Sequence, residues 1–198
     1  MNKKFIVTFL VFVCVIFSAR AQRVGIKTNL LYDATATANL GVEIGLSPKW
    51  TIDISGNYNA WQVGTDNGLW KHAFVQPEAR WWFCDRFSGH FLGVHALGGI
   101  YNFGGLKWMP DVAPGLVDRH PGLVENRYQG WAAGAGVAYG YAFMLGKHWN
   151  LELELGLGYV YFEYDKFECE ECGRRLETEV PRHYVGPTKA AVSLVYLF

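Results

Sequence analysis

The chain has 198 residues, and its 18 basic and 18 acidic residues leave no formal net charge at neutral pH. This length suits one domain with a sizeable core, and the balanced charge gives no indication of a nucleic-acid partner. Aromatic residues make up 16% of the chain and glycine occurs 23 times. These aromatic and glycine contents are high for a soluble enzyme and typical of barrels with interfacial aromatic girdles.

The N-terminus has the pattern of a secretory signal peptide. Two lysines precede an apolar run over residues 5–17, and Ala19-Arg20-Ala21 offers the small-x-small pattern of a cleavage site. An apolar run of about 13 residues is too short for a spanning helix, which needs roughly 20. We therefore expect residues 1–21 to be removed on export. Residues 22–198 then form the mature domain, with 15 basic and 18 acidic residues.

The first three strands are predicted by the alternation of apolar and polar residues. Residues 24–32 fit one strand, and residues 38–46 and 50–60 alternate on either side of the tight turn Ser47-Pro48-Lys49. The polar faces of the second and third segments agree in register, so we expect them to form a hairpin. A polar, glycine-containing loop is predicted over residues 61–71.

Five further strands are predicted, and all share the period of two. The seventh is the most regular, with Trp, Leu or Tyr at every odd position and Glu152 and Glu154 among its even ones. Pro77 weakens the fourth strand, because proline lacks the amide donor that a central strand needs. In the last strand, Thr188 is assigned to the outward face and Lys189 to the inward face. These strands span residues 72–83, 90–103, 128–143, 149–162 and 183–198.

The eight predicted strands and their connections indicate a membrane-spanning barrel. Short turns follow strands two, four and six, whereas long polar connections follow strands three, five and seven, which is the asymmetry of bacterial outer-membrane barrels. An even number of strands lets the sheet close and removes the edges that hydrocarbon cannot hydrogen-bond. Phe198 ends the chain in phase with the outward face, which resembles the C-terminal signal read by outer-membrane assembly machinery. The sequence therefore predicts an all-β, eight-stranded antiparallel up-and-down transmembrane β-barrel, with a soluble secreted barrel or sandwich as the alternative.

The opening block of the mature chain is similar to a known family. Residues 27–46, K-T-N-L-L-Y-D-A-T-A-T-A-N-L-G-V-E-I-G-L, with the following K-W-T-I-D-I-S-G-N-Y-N-A-W, resemble the start of the DUF3575 family of uncharacterised Bacteroidetes proteins. The segment over residues 72–83 and the strand G-H-F-L-G-V-H fit the same family. The resemblance implies an exported small barrel, sometimes encoded near fimbrial genes, and it supplies no activity or catalytic residues.

The inward faces of the predicted strands carry charged residues of both signs. An eight-stranded barrel is just wide enough for side chains to fill, so an open pore is not expected. One hypothesis is a network of ion pairs and hydrogen bonds that replaces an apolar core, because buried charges must be paired. The other is a narrow proton or cation path through the same residues, since carboxylates outnumber cations. The predicted interior set consists of Glu43, Asp53, Glu78, Arg80, His95, Glu152, Glu154 and Lys189.

Nucleophilic catalysis on lipid is a third hypothesis. Outer-membrane lipases that modify lipid A need a nucleophile and a base within hydrogen-bond reach, and Ser88 and His90 lie two residues apart at a predicted turn. The lipid A deacylases use the order His-x-Ser on a strand, whereas this chain has Ser-x-His in a turn. We therefore predict that the protein is not an enzyme and that it uses no cofactor.

Three cysteines remain after removal of the signal peptide. Cys169 and Cys172 lie in the last long connection, where they can form a small disulfide or stay reduced in an oxidant-poor habitat. A zinc site would need two further ligands, of which His183 is one candidate, so we predict no metal. Cys84 is then the odd cysteine, in a short turn.

The long connections are the expected carriers of function, because rigid scaffolds display binding residues on loops. The stretch over residues 104–127 mixes aromatic side chains with both charges. It either shields the barrel rim beneath lipopolysaccharide or contacts a surface partner such as a fimbrial subunit, another membrane protein or a glycan. We predict a monomeric barrel in outer-membrane lipid with a structural or surface-interaction role.

Overall fold

The structure is a computed structural model that describes residues 24–63, 68–104, 126–168 and 173–198. The predicted signal peptide, most of the 104–127 connection, Cys169 and Cys172 lie outside the described residues. Eight strands and one short helix make up most of the described chain. In chain order they are β1 (Val24–Asn29), α1 (Leu30–Ala34), β2 (Ala38–Ser47), β3 (Trp50–Val63), β4 (Gly68–Trp82), β5 (Gly89–Gly104), β6 (Arg127–Met144), β7 (Trp149–Phe167) and β8 (Arg175–Leu197).

Each strand pairs antiparallel with its neighbours in sequence, and β1 pairs with β8 to close the ring. The prediction of an all-β barrel with eight up-and-down strands is therefore confirmed. Residues 48–49, 83–88 and 145–148 connect the strands at the end where β1 begins and β8 ends, which we call the turn end; the opposite end is the loop end. No helix in the described ranges is long and apolar enough to cross a membrane.

The first strand is shorter than predicted because the chain turns into a helix at Asn29. The Asn29 side chain accepts a hydrogen bond from the Leu31 amide at 3.1 Å and so caps α1. Its amide nitrogen also donates to the Ala190 carbonyl oxygen of β8 at 3.2 Å. Residues 30–32, which the sequence assigns to a strand, therefore form part of a helix at the loop end.

The later strands extend further toward the loop end than the sequence predicts. β3 continues to Val63 and β4 starts at Gly68, so the connection predicted over 61–71 shrinks to residues 64–67. β7 and β8 run through much of residues 163–182, which the sequence assigns to the long polar connection after the seventh strand. Charged residues on both faces of these extensions obscure the alternation that marks a strand in the sequence.

An apolar belt covers the outside of the barrel. Within it, Leu155 of β7 is 71% exposed and Val94 of β5 is 64% exposed. Exposed aromatic residues border the belt near the turn end: Trp50, Trp81, Phe83, Phe143, Trp149 and Phe198. Others border it toward the loop end: Tyr58, Trp61, Trp131 and Tyr159. Trp149 and Tyr159 are ten positions apart, which corresponds to about 33 Å along a strand and ~25 Å of height at the ~40° tilt of barrel strands.

Candidate functional site

The middle of the barrel interior holds a layer of charged side chains, which we call the charge layer. Alternate side chains of each strand point inward. Six of the eight strands place a charged side chain in this layer. Every member is at least nine-tenths buried. Among the described residues the layer has five carboxylates and three cations: Lys27 of β1, Glu43 of β2, Asp53 of β3, Glu78 and Arg80 of β4, Glu152 and Glu154 of β7, and Lys189 of β8.

Arg80 donates hydrogen bonds to four carboxylates of the layer at once. Its Nη1 atom lies 2.6 Å from Glu43 Oε2 and 3.0 Å from Glu152 Oε2. Its Nη2 atom lies 2.7 Å from Glu154 Oε2, and its Nε atom lies 2.8 Å from Glu78 Oε1. A planar guanidinium with five N–H donors suits this role, because its donors point in several fixed directions at once. Arg80 is therefore the centre of the layer.

Lys27 is an interior cation that the sequence prediction omits. Its Nζ atom lies 2.5 Å from Glu43 Oε2, 3.0 Å from Glu152 Oε2 and 3.4 Å from Asp53 Oδ1. Side-chain contacts thus join β1 to β2, β3 and β7. The sequence does indicate that Lys27 points inward. Lys27 lies on the same face of β1 as Gly25, and the apolar residues of β1 lie on the opposite face.

Lys189 is the third cation of the layer, and glycines on neighbouring strands make room for the long side chains. Lys189 Nζ donates to a carboxylate oxygen of Glu78 and lies 3.1 Å from Glu154 Oε1. A Cβ at Gly93 would collide with the Glu78 carboxylate, and a Cβ at Gly41 would collide with the stem of the β1 lysine. The charged side chains therefore fill space that these glycines leave.

An apolar plug lies between the charge layer and the turn end. The Trp82 and Phe91 ring centroids are 4.7 Å apart, and the Arg80 guanidinium carbon lies 4.5 Å from the Phe91 centroid. Trp82 Nε1 donates to Thr51 Oγ1 at 2.9 Å, and the Thr51 hydroxyl donates to Glu43 Oε1 at 2.5 Å. Plug and charge layer are thus joined by hydrogen bonds. The plug consists of Trp82, Phe87, Phe91, Ala142, Val195 and Leu197.

A cavity of about 440 Å³ lies on the loop side of the charge layer. α1 borders it through Leu31 and Tyr32. Its floor is formed by members of the charge layer: Lys27, Asp53, Arg80, Glu154 and Lys189. Aromatic rings line part of its wall: Trp70, His72, Phe74 and Phe103.

Four polar side chains of the cavity have an atom without a hydrogen-bond partner in the described parts of the chain. These atoms are Asp53 Oδ1, Asn57 Oδ1, His72 Nδ1 and Glu154 Oε1. The side chains are buried, with exposed fractions of 1%, 8%, 8% and 4%. Buried polar atoms are normally satisfied, so unfilled atoms that line a cavity indicate a place for another molecule.

His95 lies in the interior but outside the charge layer. Its Nε2 atom lies 2.8 Å from the Thr188 hydroxyl oxygen. The assignment of Thr188 to the outward face is wrong. The β7–β8 ladder shifts register beside Pro187, which leaves Thr188 without a paired residue in β7. Thr188 is therefore the extra residue of a β-bulge, and its hydroxyl points inward.

The structure brings seven of the eight residues predicted for the interior into the charge layer, and the eighth is His95. His90 Nδ1 lies 2.6 Å from the Tyr139 hydroxyl oxygen, and no hydrogen bond joins His90 to Ser88 in the described chain. Cys84 is exposed and free in the turn after β4. Within the described residues, no group of three or more His, Cys, Asp or Glu side chains is arranged to hold a metal ion.

Comparison with known proteins identifies the family of this chain. A comparison with curated proteins found no match, and neither did a comparison with solved structures. A family model described as a protein of unknown function, DUF3575, matches residues 6–198. The match covers all eight strands and every member of the charge layer. The chain belongs to the DUF3575 family.

Proposed function

We propose that the protein is a small β-barrel of the outer membrane that acts at the cell surface through its loop end. A signal peptide over residues 1–21 exports it, and it is monomeric in a belt of lipid and lipopolysaccharide. Its partner is a surface protein, such as a fimbrial subunit. It neither conducts ions nor catalyses a reaction.

The main observation behind this proposal is that the barrel wall is apolar on its outer face and charged on its inner face, the reverse of a sheet in water. Leu155 and Val94 expose apolar surface outward, whereas Arg80 and Glu152 are each 1% exposed inside. A sheet in water buries its apolar face and exposes its polar face, while hydrocarbon favours the reverse. The ~25 Å belt between two aromatic borders matches the apolar band of outer-membrane barrels.

The filled interior supports a sealed barrel rather than a narrow channel. The Trp82 and Phe91 rings of the plug lie on the turn side of Arg80, which itself donates hydrogen bonds to four carboxylates. An ion that crossed the lumen would have to displace both the aromatic rings and the ion pairs. Side chains fill an eight-stranded barrel in this way without leaving an aqueous path.

The hairpin formed by β7 and β8 supports a role at the surface. β7 has 19 residues and β8 has 23, against six in β1, so this part of the wall extends beyond the belt at the loop end. Ion pairs link the two strands there: Arg175 Nη2 lies 3.4 Å from Asp165 Oδ2, and Lys166 Nζ lies 3.8 Å from Glu177 Oε1. A charged extension on a rigid barrel can present side chains to a partner.

Cysteine labelling tests the location and the orientation. One variant keeps Cys84 and carries Cys169→Ser and Cys172→Ser; a second also carries Cys84→Ser and Glu177→Cys. A membrane-impermeant maleimide should label position 177 on intact cells and Cys84 only after the outer membrane is permeabilised. Labelling of Cys84 on intact cells, or recovery of the protein in the soluble fraction, contradicts the proposal.

Three further experiments separate the surface role from the alternatives. The purified protein should give no conductance steps in planar bilayers, whereas a channel would. A photoreactive group at Glu177 should crosslink a surface protein in native outer membrane, and the same group at Lys147 of the turn end should not. Failure to crosslink any protein at position 177 counts against the surface role.

A lipase role would appear as altered lipid A masses in cells with Ser88→Ala and His90→Ala, and we expect no change.

A further inference from the structure

We infer that the cavity on the loop side of the charge layer binds a small organic cation that carries an ammonium group. Asp53 lies at the floor of the site, Asn57 and His72 line its sides, and Trp70 and Phe103 add aromatic surface. The cavity can bind this ligand whether or not the loop end contacts a partner protein.

The cations at the floor are already occupied by carboxylates. Lys27 Nζ lies 2.5 Å from Glu43 Oε2, and Lys189 Nζ donates to Glu78. Arg80 contacts carboxylates through all three of its guanidinium nitrogens. An anionic ligand would have to break these buried pairs. It would also add negative charge next to the charge layer, in which carboxylates of the described residues outnumber cations by five to three. Anions are therefore disfavoured.

The unfilled atoms of the cavity favour a hydrogen-bond donor. Asp53 Oδ1 accepts no hydrogen bond in the described chain, although Lys27 Nζ lies 3.4 Å away. Asn57 Oδ1 also accepts none there, and both side chains are more than nine-tenths buried. A ligand that donates to these oxygens satisfies acceptors that the protein leaves unfilled. Because carboxylates outnumber cations in the charge layer as a whole, among the described residues, a positively charged donor is favoured over a neutral one.

The aromatic surface favours an organic cation over a bare metal ion. Trp70 and Phe103 are stacked with ring centroids 4.8 Å apart, and the His72 ring lies edge-on to Trp70 at 5.7 Å. Aromatic faces attract ammonium groups and pack against methylene chains. The cavity volume of about 440 Å³ lies in the range of small-molecule pockets, roughly 300–1,000 Å³.

A matched series of four-carbon compounds tests the inference without any variant. Putrescine, 1,4-butanediol and succinate are titrated into the purified full chain in detergent, and calorimetry and tryptophan fluorescence report binding. Putrescine should bind saturably, butanediol should bind about tenfold or more weakly than putrescine, and succinate should not bind. Equal binding of the three compounds, or no saturable binding of putrescine, overturns the inference.

Opposite charges at one position then locate the site. Asn57→Lys should weaken putrescine binding about tenfold or more, and Asn57→Asp should strengthen it. Both changes place a charge at the same point, so damage to the fold would affect them alike. Asn102→Lys in β5, outside the cavity lining, should leave the affinity unchanged. Equal loss in both Asn57 variants, or a loss with Asn102→Lys, places the ligand elsewhere and contradicts the inference.

Discussion

Arg80 Nη2 and Glu154 Oε2 lie 2.7 Å apart and join β4 to β7 across the interior of the barrel. These two strands are not neighbours in the sheet, so no backbone ladder connects them. The charge layer therefore links strands on different parts of the wall that backbone hydrogen bonds cannot reach.

Replacing Arg80 by methionine should destabilise the barrel strongly. The change removes the hydrogen bonds to four carboxylates and leaves five buried carboxylates with two cations, Lys27 and Lys189. The loss of one partner costs about 3–5 kcal/mol in comparable buried pairs. The matched control is Arg175→Met, whose side chain is 54% exposed beside Asp165 and should contribute less than ~1 kcal/mol. Urea unfolding in lipid vesicles measures both. Equal losses in the two variants would show that the charge layer contributes no more than a surface ion pair.

A methyl group at Gly93 should disturb the charge layer from the neighbouring strand. The Cβ of Gly93→Ala would collide with the Glu78 carboxylate, which must then shift away from Arg80 and Lys189. We expect a loss of about 1–3 kcal/mol in the free energy of unfolding, as for other overpacked interiors. Gly98→Ala in the same strand meets nothing within 4 Å and should be nearly neutral. A neutral Gly93→Ala contradicts the tight fit described for this position.

An arginine in the middle of the belt distinguishes a membrane barrel from a water-soluble one. Leu155 is 71% exposed, so Leu155→Arg should be harmless in water but should cost about 2–4 kcal/mol in a bilayer. Leu176→Arg, near the start of β8 and beyond the belt, serves as the control. The free energy of unfolding is measured in vesicles for each. Similar values for the two variants would contradict the proposed membrane location.

Thr188→Val should destabilise the barrel through His95. The change removes the hydroxyl that lies 2.8 Å from His95 Nε2 and keeps the shape of the side chain. A buried nitrogen without a partner costs about 1–3 kcal/mol. Thr178→Val, at an exposed position of the same strand, should change the free energy of unfolding by less than ~0.5 kcal/mol. If both variants unfold at the same urea concentration, the bond between His95 and Thr188 does not contribute to stability.

The number of strands and the direction of most side chains could be predicted because an apolar outer face and a charged interior produce strict alternation along each strand. Glu152 and Glu154 stand between leucines in β7, so their inward direction follows from parity alone. Where that constraint ends, the prediction fails. The extensions of β7 and β8 carry charge on both faces, and the bulge at Thr188 reverses parity locally.

The cavity could not be predicted from the pattern, because it depends on empty space between strands that are distant in sequence. In the sequence, Asn57 is one of several polar residues of β3. The fold shows that its Oδ1 atom lacks a hydrogen-bond partner in the described chain. The start of α1 could not be predicted for a similar reason. It depends on one hydrogen bond, which the Asn29 side-chain oxygen accepts, and not on a repeating pattern of apolar residues.

The seam between β1 and β8 has a consequence for how the barrel assembles. Only five residues of β1, from Gly25 to Asn29, pair with β8, whereas the β6–β7 ladder covers all 18 residues of β6. Backbone pairing is sparse on both sides of β1, since only four of its residues, from Val24 to Lys27, pair with β2. Lys27 belongs to the same short strand and reaches Glu43 and Glu152. Joining the first strand to the last therefore also brings Lys27 to the carboxylates of the lumen, so the ring gains its full electrostatic stability only when it closes.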